Sequence, residues 1–195
     1  MAGIRQFNED KALESAMHLF WQKGFGATSM QDLAEATGVL RGSLYNAYGD
    51  KQSIFLLAYS RHKARFLGAV GDALDQPTLE ESLHAFLDLC ISSMSEPCSP
   101  DSPATRGCMT TRTATEQAAQ EEPIRSALRE LVDELSRLLE ARLSAAAEEL
   151  TLPSAAAARL LVLHTRGMVV IERLYHDADS LRASADALVS LLLRK

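Results

Sequence analysis

Apolar residues recur at spacings of three and four along nearly the whole chain, and no segment alternates at the period of a half-buried strand. The first stripe, Leu13, Ala16, Met17 and Phe20, predicts a helix over about 8–23 with Asn8 as its cap and Gly24 and Gly26 ending it. Ser29, with Asp32 three residues on, marks a second start, where a side-chain oxygen accepts an orphan N–H of the first turn. Met30, Leu33 and Ala34 share a face of that helix, and Gly38 follows where the chain must turn through positive φ. Val39 and Leu44 continue the buried pattern, and the small Ala34 allows a third helix to cross closely. Asp50 caps a fourth helix to about residue 70, with Ile54, Phe55, Ala58 and Leu67 apolar and Arg61, Lys63 and Arg65 solvated. Residues 71–77 read as a break, and a fifth helix runs over about 78–94. SEPCSPDSPATRG, rich in Pro and Ser, reads as a loop. A sixth helix is expected from near Arg106 to before Pro123, a seventh over about 122–150, an eighth to about Tyr175 with Pro153 in its first turn, and a ninth capped by Asp179 or Ser180 and ending at Leu193. The result is an all-α chain of nine helices without an internal repeat.

Composition changes this picture little. At 195 residues, 47% hydrophobic and 24% charged, the chain suits one substantial core or two small ones. No apolar run is expected to span a bilayer, and MAGIRQFNEDK lacks a signal-peptide segment, so a cytoplasmic protein without a membrane partner is expected. Residues 1–6 read as an arm in which Arg5 could reach a minor groove. Cys90, Cys98 and Cys108 form neither a disulfide framework nor a zinc spacing, and no metal or cofactor is expected. Charge matters more. The net value of −6 argues against nucleic acid, but residues 1–65 carry eight Lys/Arg against six Asp/Glu, while the remainder carries twelve against twenty. A mildly basic N-terminal part is joined to an acidic one, and DNA binding requires only the local excess.

The stretch TSMQDLAEATGVLRGSLYNAYGDK reads as a helix-turn-helix. Its outward set, Arg41, Gly42, Ser43, Tyr45 and Asn46, offers a cation, a hydroxyl, a phenol and an amide; Arg pairs with guanine and Asn with adenine. Thr28 and Lys51 flank the motif at helix starts suited to phosphate, with Ser29 and Gln31 beside them. Residues 20–55, and most specifically the run GVLRGSLY with Lys51 beyond it, resemble the N-terminal domain of TetR-family transcriptional regulators. The resemblance implies a three-helix DNA-binding domain over 1–50 and a helical effector-binding and dimerisation domain over 51–195. It also implies a repressor that a small molecule releases from a palindromic double-stranded operator.

Residues Leu160, Leu161, Leu163, Met168, Val169, Val170, Ile171 and Leu174 make the eighth helix apolar on more than one side, and Leu181, Ala185, Leu188, Val189 and Leu192 line the ninth. With Gly167 permitting close approach, the resemblance implies a homodimer through these two helices. Effector-pocket candidates are Tyr59, Phe66, Phe86, Cys90, Met109, Arg112, His164 and Met168. Cys108, near a helix start and two residues from Arg106, is a redox-sensor candidate with Cys98 or Cys90 as resolving thiol. A Gly-Cys pair at this place is similar to a TetR subgroup of electrophile and oxidant sensors. No catalytic residues are assigned. The competing readings are an all-helical enzyme with Cys108 as nucleophile, and a dimeric interaction module that no longer reads an operator.

Overall fold

The computed structural model describes residues 7–97 and 105–194. Their regular structure is entirely helical: α1 (Glu9–Lys23), α2 (Met30–Thr37), α3 (Arg41–Tyr48), α4 (Lys51–Leu74), α5 (Leu79–Ser95), α6 (Met109–Ala114), α7 (Glu122–Ser144), α8 (Ser154–Tyr175) and α9 (Ala178–Leu192), with 3-10 turns at Gln117–Gln120 and Ala147–Glu149. The expected arm with Arg5, and Cys98, lie outside the described residues.

The helix starts follow local chemistry. Asn8 accepts the Lys11 N–H at 2.9 Å, and Ser29–Asp32 and Thr78–Glu81 form reciprocal capping boxes. Asp50 accepts the Ser53 N–H at 2.7 Å. Elsewhere the expected boundaries move. α4 passes through Gly71 to Leu74, because Val70 and Leu74 are buried and their burial outweighs a mid-helix glycine. The start of α6 shifts from Arg106 to Met109, since Gly107 adopts φ +64° and the Arg106 and Gly107 N–H groups turn back to the carbonyls of Glu96 and Met94. α6 ends at Ala114 rather than running to Pro123. α7 stops at Ser144, short of residue 150, because Leu150 bridges Leu193 and the Thr151 N–H bonds the Leu192 carbonyl. Pro153 is the N-cap of α8, one position ahead of the first turn, and Asp177, not Asp179 or Ser180, caps α9 by accepting the Ser180 N–H at 2.9 Å.

The chain forms two compact units, neither a single continuous segment. One comprises residues up to 64 with 109–128; the other comprises 65–108 with 129 onward. They do not coincide with a single cut after residue 50.

The first unit has an aromatic centre. Phe20 and Phe25 each meet the Phe55 ring edge-on at 5.2 Å, and Phe55 stacks on Tyr59 at 5.6 Å. Segment 109–128 makes hydrogen bonds that reach far back along the chain. Arg112 donates to the Trp21 carbonyl at 2.9 Å, the Gly26 N–H donates to Glu116 at 2.7 Å, and Gln52 donates to Glu121 at 2.7 Å.

The second unit packs Leu83, Phe86, Leu87 and Ile91 of α5 against Leu135 and Leu139 of α7, Leu161 and Val169 of α8, and Leu181 and Val189 of α9. The apolar stripe of α9 is therefore largely inside its own unit, as Leu181, Ala185, Val189 and Leu192 are buried. α8 is two-faced: Leu161, Met168 and Val169 are buried, whereas Leu160, Leu163, Val170, Ile171, Leu174 and Tyr175 are exposed. Contrary to expectation, α8 is long and apolar enough to cross a membrane by length and composition, at 22 residues and a mean hydropathy of 1.3. Its buried side nevertheless behaves as a core helix, with Thr165 and Glu172 inside alongside the apolar positions.

Candidate nucleic-acid interface

The helix-turn-helix is built by short-range contacts. In the capping box, the Asp32 carboxylate accepts from the Ser29 N–H at 2.8 Å and pairs with Lys23 at 2.6 Å. The Lys23 bond first, then those from Ser29, hold the Asp32 carboxyl far below the usual carboxylate range. Gly38 sits at φ +66° with nothing within 4 Å of a would-be Cβ, so the backbone angle rather than space selects glycine there. The Thr37 hydroxyl donates to the Leu33 carbonyl at 2.7 Å and accepts the Val39 N–H at 3.3 Å, which ties the turn to the end of α2. Leu33 and Leu44 are buried beneath it. Ala34 is half-buried at an open groove of about 400 Å³, lined also by Gln31, Glu35, Gly38, Val39, Leu40 and Arg41.

α3 then presents Arg41, Gly42, Tyr45 and Asn46 to solvent, with Ser43 half-buried. Arg41 lies over the Tyr45 ring, 5.5 Å from its centroid, and donates to the phenol oxygen at 3.4 Å. These two side chains, one helical turn apart, hold one another in a common orientation. Ser29 and Gln31 are exposed beside this face, and Gln31 donates to Glu35 at 3.0 Å. The two flanking residues are placed differently. Thr28 is 2% exposed, and its hydroxyl donates to the Gly24 carbonyl at 2.6 Å. Lys51 donates to the Phe25 carbonyl at 2.8 Å and lies 4.3 Å from the centroid of the Phe25 ring. Both side chains fasten the connection between α1 and α2.

The effector-pocket candidates do not fall within one compact unit. Tyr59, Met109 and Arg112 belong to the first, where Tyr59 and Thr110 share a 2.9 Å hydroxyl hydrogen bond and Met109 is buried. Phe66, Phe86, Cys90, His164 and Met168 belong to the second. Phe86, Cys90 and Met168 are core residues there, and Phe66 is half-buried against the same core. His164 has a buried Nε2 with no hydrogen-bond partner among the described residues, and burial lowers its pKa. Cys108 is half-buried in the second unit and accepts a hydrogen bond from Arg166 at 3.3 Å. The cation beside the sulfur is therefore Arg166, 58 residues away in sequence, while Arg106 pairs with Glu96. Burial pushes the Cys90 thiol up to about 12. Sequence spacing offered no signal for Arg166, nor for Arg112 and Glu116 as anchors of the end of α1 and of the turn that follows it. Leu40, at the start of α3, has no side-chain acceptor to offer the first turn, a feature legible in its residue type.

Residues 12–58 match the family described as bacterial regulatory proteins, tetR family, and residues 80–188 match the tetracyclin repressor-like C-terminal domain. Among curated proteins, the transcriptional repressor ComR of Escherichia coli is 45% identical over 60 residues, covering 31% of this chain and 29% of ComR. The uncharacterised regulator YezE of Bacillus subtilis is 29% identical over 98 residues, half of each chain. The chain thus matches half or less of these relatives' lengths. Among solved structures, a cysteine mutant of the TetR-family regulator CifR, complexed with 26-bp operator DNA, aligns with a TM-score of 0.84 at 24% identity, covering 97% of this chain and 98% of CifR. Reduced NemR of E. coli aligns with a TM-score of 0.83 at 18% identity, covering 95% and 97%. With an all-helical fold, a capped helix-turn-helix and family matches across both its N- and C-terminal parts, the chain belongs to the TetR family of bacterial transcriptional regulators.

Proposed function

We propose that this chain is a sequence-specific repressor that binds a palindromic double-stranded operator as a homodimer. The observation that carries the reading is the exposed α3 face, on which Arg41 is steadied by Tyr45 and Asn46 stands beside them. ComR is a transcriptional repressor, and CifR has been solved on operator DNA, which supports the same role for a chain of this family. The dimer is proposed through the face of α8 that its own unit leaves uncovered, Leu163, Val170, Leu174 and Tyr175 foremost. A two-fold pair would bring two copies of α3 to half-sites about 34 Å or a multiple apart.

Release is assigned to a small molecule or to modification of Cys108, whose Arg166 neighbour is the kind of cation that favours thiolate chemistry. Cysteine mutants of CifR and a reduced form of NemR are among the structural neighbours, in keeping with this route. No enzymatic activity is proposed. The decisive experiment selects bound duplexes from a random library with reduced full-length protein and repeats the selection with oxidant. An enriched palindrome supports the repressor, and its loss on oxidation, abolished in Cys108→Ser, supports the thiol route. No enrichment under either condition defeats the operator-binding reading and favours a dimeric interaction module.

A further inference from the structure

We propose that Leu40 is a specificity-determining residue that packs on the C5-methyl group of a thymine in each operator half-site. The inference rests on the operator-reading function above and deepens it. Leu40 is the N-cap of α3: it has extended ψ of 136°, and its carbonyl accepts the Leu44 N–H at 3.0 Å. Ser, Thr, Asp or Asn normally fills such a position, because the side chain satisfies an orphan N–H of the first turn. Asn8, Ser29, Thr78 and Asp177 do so for α1, α2, α5 and α9. Leu40 has no acceptor to offer, and α3 starts without a side-chain cap.

Nor does Leu40 serve the core. It is 80% exposed, more than any other large apolar side chain among the described residues, while its neighbours Val39 and Leu44 are buried. A residue that supplies neither cap nor core breaks the local rules, and such conflicts gather at functional positions. The open groove beside it mixes Gln31, Glu35 and Arg41 with Ala34 and Val39, and its apolar part is far smaller than the few hundred Å² of a protein-docking patch. The N-terminal residues of a recognition helix are those that reach base edges. In the major groove, the apolar group that distinguishes one base from the rest is the thymine methyl, which an aliphatic side chain contacts. Phosphate would favour the hydroxyl that this position lacks.

The test uses deoxyuridine, which differs from thymidine only by that methyl. Full-length wild-type protein, Leu40→Ala and Leu40→Ser are titrated against the selected operator and against operators carrying one dT→dU replacement at a time. For wild type, one thymine position per half-site should cost roughly fourfold in Kd, and replacing it in both half-sites roughly fifteenfold. Both variants should bind the thymine operator more weakly and be indifferent to that replacement. Leu40→Ser restores a capping side chain, so weaker binding by it cannot come from a frayed α3. If wild type selects an operator yet no dU position weakens it, or if the dU effect persists in both variants, the Leu40 assignment is overturned while the repressor reading stands. Failure of wild type to select any duplex overturns both.

Discussion

Replacing Lys51 with Met keeps the aliphatic stem and removes the ammonium, which separates a structural role from a phosphate contact. The ammonium donates to the Phe25 carbonyl at 2.8 Å and sits 4.3 Å from the Phe25 ring centroid. Phe25 in turn packs edge-on against Phe55 in the aromatic centre of the first unit. A hydrogen bond to a charged group contributes about 1.5–3 kcal/mol net, and a partly exposed cation–π contact about 0.5–1 kcal/mol. Because Lys51 is only half-buried, solvent screening brings the total toward about 2 kcal/mol. For a chain of this size that is a fall in Tm of about 4–8 °C. Were Lys51 instead a phosphate contact, its loss would leave Tm unchanged and reduce the slope of log K against log salt by about 0.9 per protomer. Circular-dichroism melting and operator titrations between about 50 and 200 mM salt, run where both proteins are folded, read the two quantities separately. The expected result for Lys51→Met is the lower Tm with an unchanged slope. A Tm within about 1 °C of wild type together with a slope reduced by about one per protomer would refute the structural assignment.

Other consequences are equally concrete. Gly24→Ala should destabilise the protein by about 1–2 kcal/mol in urea unfolding, because Gly24 has φ +83° and a Cβ would lie 2.2 Å from the Glu116 carboxylate that holds the Gly26 N–H; unchanged stability would show that this turn is not constrained. Asp32 binds its proton less readily in the folded chain than at the ordinary value of 3.8, so its stabilisation is complete above that pH and is lost as pH falls below it. Asp32→Asn should therefore flatten part of the acid limb of stability, and superimposable acid limbs would count against the capping box as its source. Cys90, its thiol raised to about 12 by burial, should resist iodoacetamide at pH 8 until the protein unfolds, whereas Cys108 reacts in the native state. Peptide mapping that finds both labelled equally fast in native protein would contradict this.

The helix-turn-helix was legible because its determinants are local. Ser29 reaches Asp32 within one turn, Gly38 is selected by its own φ, and Leu33 and Leu44 follow helical spacing to the inside. Period also separates the solvent face of α3 from its buried face, so the exposure of Arg41, Tyr45 and Asn46 follows from where Leu44 must go. Thr28 and Lys51 were not legible in the same way. A hydroxyl or an ammonium beside a helix start suits phosphate as well as it suits a carbonyl, and the return of the chain that brings the Gly24 and Phe25 carbonyls to them is not encoded in spacing.

The same limit explains the second half of the chain. Arg112 meets the last turn of α1 across 91 residues, Glu116 meets the α1–α2 connection across 90, and Arg166 meets Cys108 across 58. No periodicity encodes such pairings, because each requires two helices to be placed before their polar side chains can meet. The apolar excess of α8 was readable as a need for more than one partner. Which of its residues face inward depends on α5 and α9, which bury Leu161, Met168 and Val169 and leave Leu163, Val170 and Leu174 outside. An outward row of this kind on a helix already anchored by its opposite side offers apolar area to a second chain without loosening the first. That is why the proposed dimer draws on α8 more than on α9, whose stripe is already buried within its own unit.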